Sequence, residues 1–210
     1  MKKFILIGDS GHAKVIEDCV NSCSDFEVIA KLDERYEEIL TTKVITRGPV
    51  SILKDLLTED CGIIVAIGTN KTRESIARGL GLFETFFSTI IHSSAIVSVS
   101  ATIGKGTVIM PGAVINAGAI IGDHCIINTN SVVEHDCIIG DYVHISPGAI
   151  LTGGVKVGLG THVGAGVTVI PRIEIGEWSV IGAGATVISN VDSFTTAVGV
   201  PAKIVKREGK

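Results

Sequence analysis

Aromatic side chains are scarce in this 210-residue chain: one Trp, two Tyr and six Phe make up 4% of it. Ordinary globular cores lean on rings of that size, so their scarcity, with 25 glycines, argues for thin stacked layers instead. An excess of positive charge is also missing. Eighteen Lys and Arg face 22 Asp and Glu, for a net charge of −4, which removes the electrostatic reason to expect nucleic acid. The uncharged run from Gly106 to Gly122 contains Pro111 and falls short of the roughly twenty apolar residues that a membrane span needs, so no membrane insertion is expected. Lys2-Lys3 before Phe4-Ile5-Leu6-Ile7 opens like a signal peptide, but Gly8-Asp9 ends the apolar run too early; a cytoplasmic protein is the expectation. The five cysteines are odd in number and form no C-x-x-C pair, which disfavours both a disulfide framework and a cysteine zinc site.

What is present is a period. Branched aliphatic residues open sixteen consecutive hexads without an insertion, from Val97, Ile103, Ile109 and Ile115 to Ile181 and Val187. The fifth place of each hexad is usually small, as at Ala101, Ala113, Ala119, Ala149 and Ala185, and Cys125 and Cys137 occupy that place too. Core packing therefore accounts for both thiols. Six residues is the period of neither a helix nor a hairpin; it suits a β-solenoid, in which coil packs on coil around a continuous aliphatic interior.

Ahead of the hexads the pattern changes. Lys3 to Ile7 reads as a strand, Gly8-Asp9-Ser10-Gly11-His12 as a glycine turn and Ala13 to Val20 as a helix. That order points backbone N–H groups and the positive end of a helix at a phosphate. The glycine spacing departs from G-x-G-x-x-G, so a tight turn without a ligand is the alternative. Glu27 to Leu32 reads as a second strand ending at Asp33, a carboxylate placed to accept hydrogen bonds from a nucleoside. Pro49 to Leu57 looks helical, Gly62 to Ile67 is a buried strand closed by Gly68-Thr69-Asn70, and Lys71 to Leu80 forms another helix. Alternating strands and helices imply a small parallel sheet with its ligand at the strand C-terminal ends. His92-Ser93-Ser94-Ala95 marks the handover to the coils.

The hexads resemble those of the hexapeptide-repeat acyltransferases, whose three-sided coils take eighteen residues and wind left-handed. With Gly8-Asp9-Ser10-Gly11-His12 at the head of a small Rossmann-like domain, nearly the whole chain is similar to sugar O/N-acyltransferases of the sialic acid and bacillosamine type, which include nucleotide-sugar 4-amino N-acetyltransferases. The fold so implied is an α/β Rossmann-like domain that binds a nucleotide-sugar (residues 1–90), followed by a left-handed parallel β-helix with a C-terminal tail (residues 91–210). By the same resemblance Ser10, Gly11, His12, Asp33, Gly68 and Asn70 hold the nucleotide-sugar, Asn128 meets the acceptor, and His144, Gly153, Ala165 and Ala183 line the acetyl-CoA site. A homotrimer with active sites between protomers is implied as well.

Stacked coils turn a sequence offset of eighteen into adjacency at about 4.8 Å, so His135 has Ala117 on one side and Gly153 on the other. The phrase Glu134-His135-Asp136 resembles the family's catalytic histidine and its supporting acid. Asp136 is expected to fix the tautomer of His135, which serves as general base, while the Gly153 N–H faces the developing oxyanion. The small column Pro147, Ala165 and Ala183 leaves room for a pantetheine arm. His144 and His162, eighteen apart, should stack on one edge; His162 and His124 are expected to face solvent. The γ-class carbonic anhydrases use histidines on this architecture to bind zinc, but no two of His124, His135, His144 and His162 show the H-x4-H spacing, and no metal is expected. The leading expectation is an acetyl-CoA-dependent N-acetyltransferase acting on a UDP-linked 4-amino-deoxy sugar for surface glycan or exopolysaccharide synthesis. An amine and a hydroxyl can use the same histidine base, so sugar or sialic acid O-acetylation stands as an alternative, beside a non-catalytic nucleotide-sugar-binding scaffold. Fold resemblance does not choose among nucleotides and sugars.

Overall fold

The structure, a computed structural model, describes residues 2–58 and 60–207. An α/β unit comes first. Its strands β1 (Lys2–Ile7), β2 (Phe26–Leu32), β3 (Leu40–Thr41), β4 (Thr46–Gly48) and β5 (Cys61–Val65) form one sheet in the order β3-β4-β2-β1-β5. All pairs are parallel except β3 with β4. The central strand β1 is buried from Phe4 to Ile7, which is why it reads as a continuous apolar run and not as an alternation. Helices α1 (Gly11–Asn21), α2 (Leu53–Leu56) and α3 (Asn70–Gly79) complete the unit. The helix expected from 49 to 57 is a 3-10 turn at Val50–Ile52 running into the four-residue α2. The β3–β4 pair was not anticipated, because strands of two and three residues carry too few positions to show a period.

The coils follow. Each of the sixteen hexads contributes one two-residue strand, from Ile96–Val97 to Thr186–Val187. Ladder partners lie eighteen residues apart, as in Val114 with Val132 and Ile115 with Val133, giving three sheets of parallel coil strands and the expected left-handed β-helix; one sheet reaches eight strands by adding Ile90–Ile91 at one end and Thr195–Val198 with the antiparallel Lys203–Arg207 at the other. The second residue of each pair points inward: Ile109, Ile115, Ile127, Val133, Ile145 and Leu151 are fully buried in one aliphatic column. Cys125 and Cys137 lie in that core, as their repeat position requires. Corners between strands need one residue with positive φ. Glycine supplies it at most of them, but His124, Asp136, Tyr142 and Trp178 occupy such corners at φ between 51° and 59°. Asp tolerates this region through local hydrogen bonding; His124 and Tyr142 offset its cost by stacking on each other, with ring centroids 5.0 Å apart and planes 6° from parallel.

The α/β unit sits on one face of the prism. Outward residues of the eight-stranded sheet form a column, Val108, Ile126, His144, His162 and Val180. Val108 and Ile126, with Met110, are buried against Ile16, Cys19 and Val20 of α1. Burying each such side chain contributes about 1.5–3 kcal/mol, so the two parts share a core instead of meeting through a linker. Beyond Ile126 the column turns polar, and there the two parts separate enough to leave a cavity.

Candidate active site

That cavity, of about 810 Å³, lies between the glycine turn, the loop entering α3 and the coil face. Ser10, His12, Gly68 and Asn70 reach it from the α/β unit, and His144 reaches it from the coils. Five residues expected to hold ligands are thereby brought together from positions as far apart as Ser10 and His144. Thr69, Lys71, His162, Trp178 and Phe194 also line it; none had been singled out as a ligand. The offset of eighteen from His144 to His162 and to Val180 was the available signal for that wall. Trp178 lies over the corner glycine Gly160, where an added Cβ would enter the indole, and the Lys71 Nζ stands 5.8 Å from its ring.

The histidines do not behave as surface groups. Asn128 Oδ1 accepts from Thr129 N at 2.8 Å, so its Nδ2 is the atom that donates to His144 Nε2 at 3.0 Å. His144 therefore carries its proton on Nδ1, which is buried without a well-aligned hydrogen-bond partner although the Gly68 backbone lies beside the ring. His12 stands 6.4 Å away, ring centroid to ring centroid, with its Nε2 likewise unpartnered. His162 packs edge-on against His144 at 4.9 Å and its Nε2 meets Ser146 Oγ at 3.1 Å. The solvent-facing placement expected for His162 is overturned, because the α/β unit covers this face. His124 departs further. It is 1% exposed, wedged between Tyr142 and Phe87, with neither ring nitrogen hydrogen-bonded and Glu84 Oε2 standing 3.7 Å from Nε2.

Burial pushes His12 and His124 down from 6.5 to about 4 and His144 down to about 3, with the nearby Arg73 charge adding to each. A histidine kept neutral in the fold makes the unfolded chain the better proton binder below its ordinary value. The stability so gained is complete above about pH 6.5 and is lost as the pH falls toward about 4. Thermal melts are accordingly expected to show Tm declining as soon as the pH drops below about 6.5, before most carboxylates titrate. A Tm that stays flat down to about pH 5 would contradict neutral burial of these rings.

Around the glycine turn a second cleft of about 580 Å³ includes Gly11 among its lining residues, with Asp9, Lys14, Arg35 and Arg47. Asp9 organises it, receiving hydrogen bonds from Tyr36 at 2.6 Å and Arg47 at 3.1 Å and facing Lys31 at 3.7 Å. Although burial opposes it, the Tyr36 bond and the Lys31 and Arg47 charges hold the Asp9 carboxyl below its usual range. Asp33, expected to meet a nucleoside, uses Oδ2 to accept from Asp9 N at 2.9 Å and Oδ1 to accept from Arg35 N at 3.1 Å, so it also pins the turn. Asn70 differs more from its expected part. Its Nδ2 donates to Gly160 O at 3.0 Å and Thr161 O at 3.1 Å, and its Oδ1 accepts from Arg73. The amide is committed to joining α3 to the coils.

His135 and Asp136 lie apart from the cavity, at another corner of the prism. The corner stacks as the eighteen-residue offset requires: Asp136 N donates to Ala117 O and Gly154 N to His135 O. The His135 side chain is 62% exposed, and its Nδ1 donates to Asp136 Oδ2 at 2.9 Å. Its Nε2 leans over Gly153, whose N–H has no hydrogen-bond partner among the described residues. Ala165 and Ala183 fall on a third element of the surface, an exposed corner shared with Pro147. Added Cβ atoms at the neighbouring Gly148, Gly166 and Gly184 would meet nothing within 4 Å. Within one chain, then, the sugar-side residues form one group, His135, Asp136 and Gly153 a second, and the small-residue corner a third. Among the described residues no cluster of three or more His, Cys, Asp or Glu is placed to hold a metal ion.

An α/β unit fused to hexapeptide coils, with an interdomain cavity and an exposed histidine–aspartate pair, defines a hexapeptide-repeat transferase. The PglD N-terminal domain family matches residues 3–80, and the bacterial transferase hexapeptide family matches residues 100–135. The acetyltransferase domain of PglB from Neisseria gonorrhoeae FA1090 superposes with a TM-score of 0.87 at 32% identity, covering 98% of this chain and 100% of that one. PerB from Caulobacter crescentus, solved in complex with CoA and GDP-perosamine, gives a TM-score of 0.88 at 36% identity over 97% of each chain. UDP-N-acetylbacillosamine N-acetyltransferase of Bacillus subtilis (strain 168) is 48% identical over 110 residues, 51% of this chain and 51% of that protein, so this match spans about half the length of that relative. The chain belongs to the hexapeptide-repeat sugar O/N-acyltransferase family, with a PglD-type N-terminal domain.

Proposed function

We propose that the protein is an acetyl-CoA-dependent N-acetyltransferase that acylates the 4-amino group of a UDP-linked deoxy sugar, for surface glycan or exopolysaccharide synthesis. The observation that carries this reading is the His135 ring: exposed, tied at Nδ1 to Asp136 and bare at Nε2 above a glycine. A carboxylate on Nδ1 leaves Nε2 unprotonated and stabilises the imidazolium formed when it accepts a proton. His135 removes the proton from the sugar amine as its nitrogen attacks the acetyl carbon; the C–N bond forms, the C–S bond breaks and the proton passes to the departing thiolate. The Gly153 N–H, free of other partners, faces the oxyanion without reorganisation. Asp136 is the orienting acid.

The nucleotide-sugar is held by residues 1–90, with Ser10, Gly11, His12 and Gly68 around the diphosphate and sugar, Asp33 and Asn70 shaping the walls, and Asn128 set beside His144. UDP is favoured by the Bacillus subtilis relative's name, while the PerB complex makes GDP the nucleotide to test beside it. Acetyl-CoA lies along the small-residue corner at Ala165 and Ala183, and His144 orients either the thioester or the acceptor. Both readings of His144 need a neutral ring, which burial provides. Because His135 lies outside the interdomain cavity, a neighbouring protomer is needed to bring base and sugar together. The exposed apolar columns that include Ile96 and Ile150 on one prism face and Ile120 and Ile138 on another offer a contact surface, in keeping with the homotrimer that the family resemblance implies. Five free cysteines fit the reducing cytoplasm, and no helix among the described residues is long and apolar enough to cross a membrane.

The test is thiol release from acetyl-CoA in the presence of UDP- and GDP-linked 4-amino sugars and free sialic acids. Turnover with an amino sugar alone supports N-acetylation; turnover with sialic acid moves the assignment to O-acetylation. No release with any acceptor would leave a nucleotide-sugar-binding scaffold.

A further inference from the structure

Arg73 is 1% exposed, and among the described residues no carboxylate lies within ion-pair distance of it. A guanidinium so placed must satisfy its five N–H groups on neutral oxygens. It does so across the junction of the two domains. Nη1 donates to Ile67 O at 2.9 Å and Gly68 O at 3.1 Å, Nη2 to Asn70 Oδ1 at 3.0 Å and Tyr142 O at 2.8 Å, and Nε to His124 O at 2.8 Å. Asn70, one helical turn earlier, continues the pattern by donating to Gly160 O and Thr161 O. His124, Tyr142 and Gly160 are successive rungs of one prism corner, eighteen residues apart. Two side chains at i and i+3 of α3 thus grip three consecutive coils and the loop Ile67-Gly68 that floors the cavity.

We propose that Arg73 is a positioning residue for the sugar-nucleotide: with Asn70 it clamps the cavity floor to the coil corner and so sets the gap between His12 on α1 and His144 on the coils. The inference rests on the acetyltransferase reading of that cavity. Any rotation of the α/β unit against the prism would break four side-chain bonds to coil carbonyls, so the 6.4 Å separation of the two rings is held from behind. The clamp also places a fixed cation beneath a cavity that takes a diphosphate. Burial lowers the Arg73 guanidinium to about 10, which still leaves it charged at neutral pH. The groups facing it are His12, His144 and His162 across the cavity wall and His124, Cys125 and Tyr142 on the coils; none is an acid that would cancel its charge.

The full-length Arg73→Lys and Asn70→Ala variants test this. Lysine keeps the charge but has three donors for five acceptors. Expected for Arg73→Lys is a rise of about tenfold in KM for the sugar-nucleotide, with KM for acetyl-CoA changing less than about twofold. Histidine-selective NMR titration should show the His12 and His144 rings protonating at higher pH than in the parent protein. Asn70→Ala keeps Arg73 and should raise the same KM by a smaller factor, so the proposal stands open to test even where the lysine variant does not fold. Unchanged KM values and unmoved ring titrations alongside a lower Tm would make the clamp merely structural and overturn it. Should the parent protein acetylate no acceptor at all, the functional reading fails, while titration of the two rings and binding of UDP or GDP alone still decide the clamp.

Discussion

The His135→Ala variant is expected to fold as the parent does and to turn over roughly 10²–10⁴-fold more slowly, the range over which a positioned general base acts. The His135 side chain is largely exposed, it caps no core position, and the bond to Asp136 is the hydrogen bond its ring makes. Removing it from a corner therefore costs little stability; a change within about 0.5 kcal/mol is typical of such surface sites. KM for both substrates should move little, because the ring acts on a proton in transit and not on the bulk of either molecule. A variant with parental kcat would remove His135 from the chemistry altogether.

Gly153→Ala is expected to lower kcat/KM by about 100-fold, the scale of a one-ångström misplacement at a reacting centre. Gly153 has an ordinary φ, so alanine is acceptable to the backbone itself. The methyl group, however, would stand 2.5 Å from His135 Nε2, 2.6 Å from Cε1 and 3.2 Å from Cδ2. The exposed ring yields by swinging off the shelf, and its working nitrogen leaves the place beside the Gly153 N–H. Since both substitutions act on one ring, their effects should not add. The double variant is expected to be no slower than His135→Ala within about threefold. Full additivity, or a Gly153→Ala enzyme as fast as the parent, would show that catalysis does not use the ring in this position.

Part of this site was legible in the chain. The offset of eighteen turned His135, Ala117 and Gly153 into neighbours before any coordinates, because a solenoid repeats one geometric operation and each rung inherits its register from the last. The same operation placed Cys125 and Cys137 inside. It failed where the repeat is interrupted from outside. His124 and His162 were expected in solvent, since every outward position of a bare prism is wet; the α/β unit covers one face, and both rings lie beneath it. Asn70, which the family resemblance implies as a nucleotide-sugar contact, commits its amide to Gly160 and Thr161. Arg73 carries no such signal in the sequence, because a charged residue in an amphipathic helix ordinarily faces water.

The amino-acid sequence by itself determined the prism, its rung spacing, the aliphatic interior and the neighbours of His135. All of these follow from a local period that is satisfied again in every hexad. Only the tertiary structure decided where the α/β unit rests, and with it the cavity, the neutral histidines and the buried cation at Arg73. That placement comes from a single, non-repeating match of α1 to Val108, Met110 and Ile126, a contact between distant segments that leaves no period for the sequence to display.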